Sequence, residues 1–510
     1  DLDQIAGNLE VAFKHFPIFE EAGIKQVING PFTFSPDGNP LLGPVRGLPG
    51  FWSACAVMAG LSQGGGVGLA LANWMVEGDP GFDVWGMDIA RYGDWANLSY
   101  TNAKVRENYG RRFRIQFPNE FLPEGRPLRT SPIYDKLCGH NAVWGDGYGL
   151  ESALWFQEQG EEPVEDVTFA RSNAWDQVRA ETQAVRAGVG MMETTGFAKF
   201  EFSGPGARDY LNRLFTNTIP TAGRMVLAPM VNDNGKLIGD LTVACRGPAG
   251  GLAEGPASTV TGGATGNIDH AERFAVFGSG IAERYYERWF DQHLPADGSV
   301  SYRTHSWEIC GLSIAGPDAR ELLSRVTDVD VSAEAFRFMD FRRMDVGWAP
   351  VWCGRVTYTG DLGYEFWMPA SSQRYVFDQL MHAGEDLGLR LFGLHALNSL
   401  RLDMGFGSWA REFRPLYTPF EAGLVRFVKL TDTKGDFIGR AALEQAAADG
   451  PTLRLLTWTV DADGAEVIGD EPIWHDGEVV GWVTSGGYSH HMDQSVALGY
   501  VPAALETAGG

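Results

Sequence analysis

Apolar residues Ile5, Leu9, Ala12, Phe13, Phe16 and Phe19 recur at helical intervals behind Asp3, which predicts an amphipathic helix with an acidic cap. KQVING then reads as a short strand, and PFTFSPDGNPLLGP, punctuated by Pro and Gly, as turns. From Gly47 to Val76 there is no charged residue, a length that would cross a bilayer. Gln63 followed by Gly64, Gly65 and Gly66 lies in its middle, where each glycine weakens a spanning helix by roughly 1 kcal/mol. The pattern therefore predicts a buried strand over FWSACAVM, a turn over SQGGG and a helix over VGLALANWMVEG, closed by Gly78 before Pro80.

Between about Arg91 and Leu137 the chain becomes locally basic (NAKVRENYGRRFRIQFP) and is interrupted by Pro118, Pro123, Pro127 and Pro132, which suggests a small adapter. Beyond about Cys138, short strands alternate with helices, as in an α+β domain. Inside it SGPGARDYLNRLF, from Ser203, matches AGPDARELLSRVT, from Ala315, at a spacing of 112 residues. Each copy follows an alternating strand, KFEF or GLSI, and opens a helix with proline in its first turn. Two such units imply an internally duplicated domain. RGPAGGLAEGPASTVTGGATGNIDH, about 246–270, reads as a flexible surface insertion. From about Pro451, short strands separated by DADG, HDGE and SGG turns predict a small β-barrel.

Length changes this picture little: 510 residues imply three or four domains at roughly 150 residues each. Charge narrows function more. Lys and Arg number 41 against 65 Asp and Glu, a net charge of -24, so nucleic acid is a poor partner. Cys55, Cys138, Cys245, Cys310 and Cys353 form no CxxC pair, which argues against a disulfide framework or zinc knuckle and for buried free thiols in a reducing, cytoplasmic setting. The histidines are scattered, and adjacent His490 and His491 would point to opposite strand faces, so no metal site is expected. The chain starts at Asp1 without a targeting segment, and an upstream part is expected to be missing.

Four stretches carry candidate chemistry. The glycine turn at Ser62, Gln63, Gly64, Gly65 and Gly66, just before a helix, could bring backbone N–H groups to a cofactor, or could be a structural turn. MVNDNGKLIGDLTV, Met230 to Val243, is a hairpin with Asp240 beside it, a candidate acid–base group or an exposed turn carboxylate. RVTYTGDLGYEFW, Arg355 to Trp367, places Tyr358 and Glu365 on a second hairpin. GLHALNSLRLDMGFGSWAREF, Gly393 to Phe413, reads as a helix and turn carrying Arg401.

The segment from Ile28 to Gly78 resembles the C-terminal end of the flavin domain in FAD-dependent amine oxidoreductases of the dimethylglycine and sarcosine dehydrogenase group, where the glycine turn lies against the flavin. The two hairpins and the helix resemble the tetrahydrofolate-binding T-protein of glycine cleavage. Two adjacent acids are usual in its first hairpin, but Gly239 precedes Asp240 here. In its YTGExGxE signature Asp361 replaces the first glutamate, and Glu365 matches the position that holds the amino-pyrimidine edge of the pterin. That role suits a carboxylate, which accepts two parallel hydrogen bonds from an N–H and an NH2. Tyr358 would pack on the ring or substrate. In the family's GLGARDSLRLEAG pattern the first arginine is Leu397 here, Asp403 replaces a glutamate, and Arg401 is kept, as a partner of folate, a partner of a structural carboxylate, or a residue on a solvated face.

The resemblance implies four regions: 1–90, the remnant of an FAD-binding α/β domain; 91–145, an adapter; 146–425, a duplicated α+β folate domain; and 426–510, a β-barrel. It implies oxidative N-demethylation of a small N-methyl amine such as dimethylglycine or sarcosine with FAD and tetrahydrofolate, giving 5,10-methylenetetrahydrofolate, with an electron-accepting flavoprotein as a candidate partner. No strand–GxGxxG–helix fingerprint occurs in the chain, so tight FAD binding by these residues alone is not expected. A flavin-free folate-dependent demethylase or aminomethyltransferase is the alternative within enzymes. A non-catalytic regulatory paralogue is the alternative outside them.

Overall fold

The computed structural model describes residues 2–147, 149–247 and 272–506. It is a multidomain α+β protein whose centre is built from two antiparallel-rich sheets. The first has five strands, in the order Ser301–Thr304, Ala198–Ser203, Arg273–Gly278, Leu237–Gly247, Arg224–Val231. The second has six: Phe341–Val346, Ala349–Gly354, Gly363–Pro369, Ile309–Ala315, Gly190–Glu193, Arg390–Leu391. Only the last pair of that sheet is parallel.

The duplication is visible atom by atom. In each copy the strand, Ala198–Ser203 or Ile309–Ala315, passes through a glycine into a helix, Ala207–Leu214 or Ala319–Ser324. Gly204 and Gly316 adopt φ of +112° and +128°, a region open to glycine and closed to side chains. A Cβ on either would lie 2.3 Å from a carbonyl oxygen, that of Ser299 or of Gly188. Two residues on, the N–H of Gly206 or Asp318 donates to that same carbonyl at 3.0 Å. Arg208 and Arg320 then reach back to the carbonyls of Ile219 and Val331, eleven residues on in both copies and both at 3.1 Å.

Several expectations are corrected. The N-terminal helix forms as Ala6–His15, but Ile5 holds the N-cap and Asp3 lies in a preceding 3-10 turn, with no helix residue buried. KQVING forms no strand. Strand pairing begins later, between Leu41–Pro44 and Trp52–Cys55, and in FWSACAVM only Ser53 and Ala56 are buried. SQGGG is not a turn: Ser62 to Gly66 lie inside one helix, Gly60–Glu77. The Ala- and Leu-rich stretch after Val67 propagates helix backwards through the glycines, and Gly78 closes it in the left-handed conformation, φ 79°. The thiols are not all buried: Cys55 and Cys138 are exposed, while Cys245, Cys310 and Cys353 are buried.

The insertion begins later than its composition suggests. Arg246 and Gly247 still belong to a strand, and Arg246 pairs with Glu201 at 2.7 Å. The rest of that insertion, from 248, lies outside the described residues. At the C-terminus the strands Leu453–Val460, Gln494–Pro502, Glu478–Ser489 and Pro472–His475 form an open four-stranded sheet, not a closed barrel. Its outer strands do not pair with each other; the N–H of Leu455 on one edge is taken instead by the carbonyl of Glu421, at 2.9 Å. No helix among the described residues is long and apolar enough to cross a membrane.

Candidate functional site

The two central sheets share an apolar seam. Met225, Ala244, Ala275 and Phe277 from the first pack with Ile309, Phe341, Trp352 and Trp367 from the second. Phe277 stacks on Trp367 at 4.2 Å, and Phe341 on Trp352 at 5.0 Å. Side chains alternate along a strand, so Asp240 shares a face with Thr242 and Ala244, and Glu365 shares one with Trp367. Ala244 and Trp367 both belong to the seam. Each candidate carboxylate therefore stands on the sheet face that looks toward the other sheet.

Both are half-buried and both lack partners. Among the described residues nothing donates a hydrogen bond to the carboxylate of Glu365, and burial alone pushes it up to about 7. Asp240 is likewise pushed up to about 7, by burial first; its own backbone N–H opposes the shift and the charge of Glu412 adds to it. An ordinary hairpin carboxylate in water shows neither shift. A ligand that brings N–H groups to these oxygens would supply what the protein leaves out.

Tyr358 lies close enough to Asp240 to feel its charge. Burial holds its hydroxyl well above the ordinary phenol range, with Arg401 opposing and Asp240 and Glu412 adding to the shift. That hydroxyl donates to the carbonyl of Gly407 at 2.5 Å, and its ring lies 5.9 Å from that of Phe406, nearly parallel. Arg401 is buried, not on a solvated face. Its Nη1 sits 3.3 Å from buried Glu412 and donates to the carbonyl of Phe406 at 2.9 Å, while Nε donates to Asn398 at 3.0 Å. Glu412 also accepts from Ser408 N–H and Thr484 Oγ1, at 2.9 and 2.7 Å. Arg401 thus partners a structural carboxylate and anchors the loop on which Tyr358 rests.

Three features had no clear signal in the sequence. Gly239, where the resemblance expects an acid, has no room for one: a Cβ there would meet the Tyr286 ring at 2.7 Å and Leu241 at 2.6 Å. Tyr286 itself is fully buried, its hydroxyl unpartnered. Arg186 clamps both positions where Asp stands for an expected Glu, reaching Asp361 at 2.6 Å and Asp403 at 2.8 Å. Nothing in the chain pattern named Arg186 as the common partner of the two shortened acids.

The glycine stretch named for the flavin is helical. Gly64, Gly65 and Gly66 are exposed within the Gly60–Glu77 helix, with nothing within 4 Å of a Cβ added to any of them. Their N–H groups lie inside the helical ladder, not at a helix N-terminus. Ser62 donates its hydroxyl to Ala59 O at 3.1 Å, and Gln63 keeps one buried unpartnered oxygen.

The duplicated α+β unit is a fold shared with a solved aminomethyltransferase. The crystal structure of glycine cleavage system aminomethyltransferase T from Bartonella henselae superposes with a TM-score of 0.59 at 20% identity, covering 74% of this chain and 91% of that one. The chain belongs to the GCVT N-terminal domain family, whose model matches residues 133–249 and 265–432. The FAD dependent oxidoreductase central domain matches 77–131, and the glycine cleavage T-protein C-terminal barrel domain 454–510. Mitochondrial dimethylglycine dehydrogenase of Mus musculus is 35% identical over all of this chain and 56% of its own length. The formaldehyde-forming 4-methylaminobutanoate oxidase of Paenarthrobacter nicotinovorans is 31% identical over 96% of this chain and 56% of its own. The chain thus spans a little over half the length of these relatives.

Proposed function

We propose that this chain is the folate-dependent part of an oxidative N-demethylase acting on a small N-methyl amine of the dimethylglycine or sarcosine type. The observation that carries the reading is the pair of partnerless, half-buried carboxylates, Asp240 and Glu365, on facing sheets. Glu365 takes the amino-pyrimidine edge of tetrahydrofolate through two parallel N–H donors, which restores the hydrogen bonds its burial removed. Tyr358 lines the same region and keeps water off. The one-carbon unit arrives as an iminium, a methylene doubly bonded to a cationic nitrogen, left when a hydride is removed from the N-methyl group. Addition of the folate N5 and N10 to that carbon releases the demethylated amine and one proton. Asp240, raised to about 7, is matched to accept and release that proton near neutral pH.

The proton role is tested by Asp240→Asn. Supplied with tetrahydrofolate and an iminium generated from formaldehyde and a secondary amine, wild type is expected to form methylenetetrahydrofolate. The variant is expected to form it about 100-fold more slowly, leaving free formaldehyde. An unchanged ratio of the two products removes Asp240 from the mechanism.

FAD supplies the hydride step in the family resemblance, and no part of that step is assigned to the described residues. With Ser62 to Gly66 helical, the purified chain is expected to carry no stoichiometric flavin, read from its visible absorption. A yellow protein with one flavin per chain contradicts this. Tyr286 filling the space beside Gly239 favours a second reading, a non-catalytic paralogue, which absence of saturable folate binding would support.

A further inference from the structure

A cavity of about 300 Å³, lined by neither Asp240 nor Glu365, opens between the Trp175–Ala187 helix, the Leu394–Asp403 helix and the Glu478–Ser489 strand. Two polar side chains that line it, Ser485 and His490, are 3% and 7% exposed, and Ser485 Oγ and His490 Nδ1 are buried without a partner. Burial pushes His490 down to about 4, so the imidazole is neutral and can donate or accept. Native proteins rarely leave such atoms unmatched, and two in one cavity point to something that binds there.

The walls and charges narrow what that is. Trp175 and Tyr488 lie 4.5 Å apart, and the His490 ring is 4.8 Å from Trp175, so aromatic rings join aliphatic Val178, Val467 and Ile468 in the lining, with the Arg171 guanidinium 3.8 Å from the Trp175 ring. The charged lining groups are matched one by one: Glu165 with His395 at 2.9 Å, Arg171 with Glu466 at 2.8 Å, and Arg401 with Glu412 at 3.3 Å. Arg411 is left over, lining the cavity with no carboxylate partner among the described residues. A site with one uncompensated guanidinium, aromatic rings in its lining and two buried neutral polar atoms suits a flat monoanion with a polar substituent.

We propose that this cavity binds a small aromatic carboxylate bearing a hydroxyl or amino group, its carboxylate on Arg411 and its substituent on Ser485 and His490. The site is separate from Asp240 and Glu365 and does not depend on the folate reading. The test is a calorimetric titration of the full chain with 4-hydroxybenzoate as probe. Expected is one saturable site per chain, at least tenfold tighter than for benzoate, which lacks the substituent, or 4-hydroxybenzamide, which lacks the charge. Arg411→Gln, a change at an exposed position, should weaken 4-hydroxybenzoate tenfold and leave 4-hydroxybenzamide unchanged. Ser485→Ala should weaken 4-hydroxybenzoate and leave benzoate unchanged. No saturable binding, equal binding of acid and amide, indifference to both variants, or displacement of the probe by tetrahydrofolate overturns the proposal.

Discussion

Replacing Glu365 with Gln is expected to abolish tetrahydrofolate binding while making the free protein more stable above neutral pH. The carboxylate offers two acceptors to the N–H and NH2 of the pterin edge, and Gln replaces one of them with a donor pointed at a donor. Loss of a charge-assisted bidentate pair amounts to about 3 kcal/mol, or more than 100-fold in affinity. Stability moves the other way. Glu365 stands at about 7 in the folded protein and at 4.5 in the unfolded chain, so between those values the folded state holds a proton that the unfolded state has released. Stability is therefore greatest below about 4.5 and falls as pH rises through 7. Above that, the buried charge costs on the order of 3 kcal/mol at roughly 1.4 kcal/mol per unit. Glu365→Gln removes that loss. Thermal midpoints measured at pH 4.5 and pH 8 are expected to differ less in the variant than in wild type, with the variant higher at pH 8. A variant that loses affinity and stability together at pH 8 has misfolded, and that result counts against the assignment.

Gly316→Ala and Gly204→Ala are each expected to damage the duplicated domain through a single added methyl. At Gly316 the new Cβ would lie 2.3 Å from Gly188 O and 2.4 Å from Val185 O; at Gly204 it would lie 2.3 Å from Ser299 O. Both sit at positive φ, which adds a cost of about 1–3 kcal/mol for a side chain. The carbonyls cannot retreat without breaking their bonds from Asp318 and Gly206, so a total above about 3 kcal/mol is expected in urea unfolding. Gly64→Ala is the control. It is helical with nothing within 4 Å of the new atom, and is expected to stabilise by about 0.5–1 kcal/mol. Destabilisation there would show that 62–66 is a turn after all.

The two outcomes also explain what could be read from the chain alone. The repeat was legible because both copies need glycine at one strained backbone position and proline in the next turn, and such needs leave fixed letters. The two sheets and their hairpins followed from alternation that burial on one face enforces, as in the strand bearing Asp240. SQGGG misled because glycine is read as a turn former, whereas helix propagation from the residues behind it decides its conformation. The barrel misled because strand signals do not reveal whether outer strands meet, and here the backbone of Glu421 takes the free edge. Asp240, Tyr358 and Arg401 were named from motifs, and the structure places Tyr358 near both Asp240 and Arg401. The role of Arg401 was not legible, since its partner Glu412 lies in a loop whose path no periodicity describes. Arg186 stayed hidden for the same reason: a long-range clamp on Asp361 and Asp403 has no local pattern.

The central claim, that Glu365 is an orphaned carboxyl waiting for the pterin edge, is tested most directly by titrating the chain with tetrahydrofolate at pH 6 in two buffers of different ionisation enthalpy. Free Glu365, at about 7, is largely protonated there, and it must ionise to accept the two N–H donors. The account predicts one saturable site per chain with proton release approaching one per folate bound, and no saturable binding at the same concentrations in Glu365→Gln. Absence of saturable binding, or binding with no proton released, would contradict it.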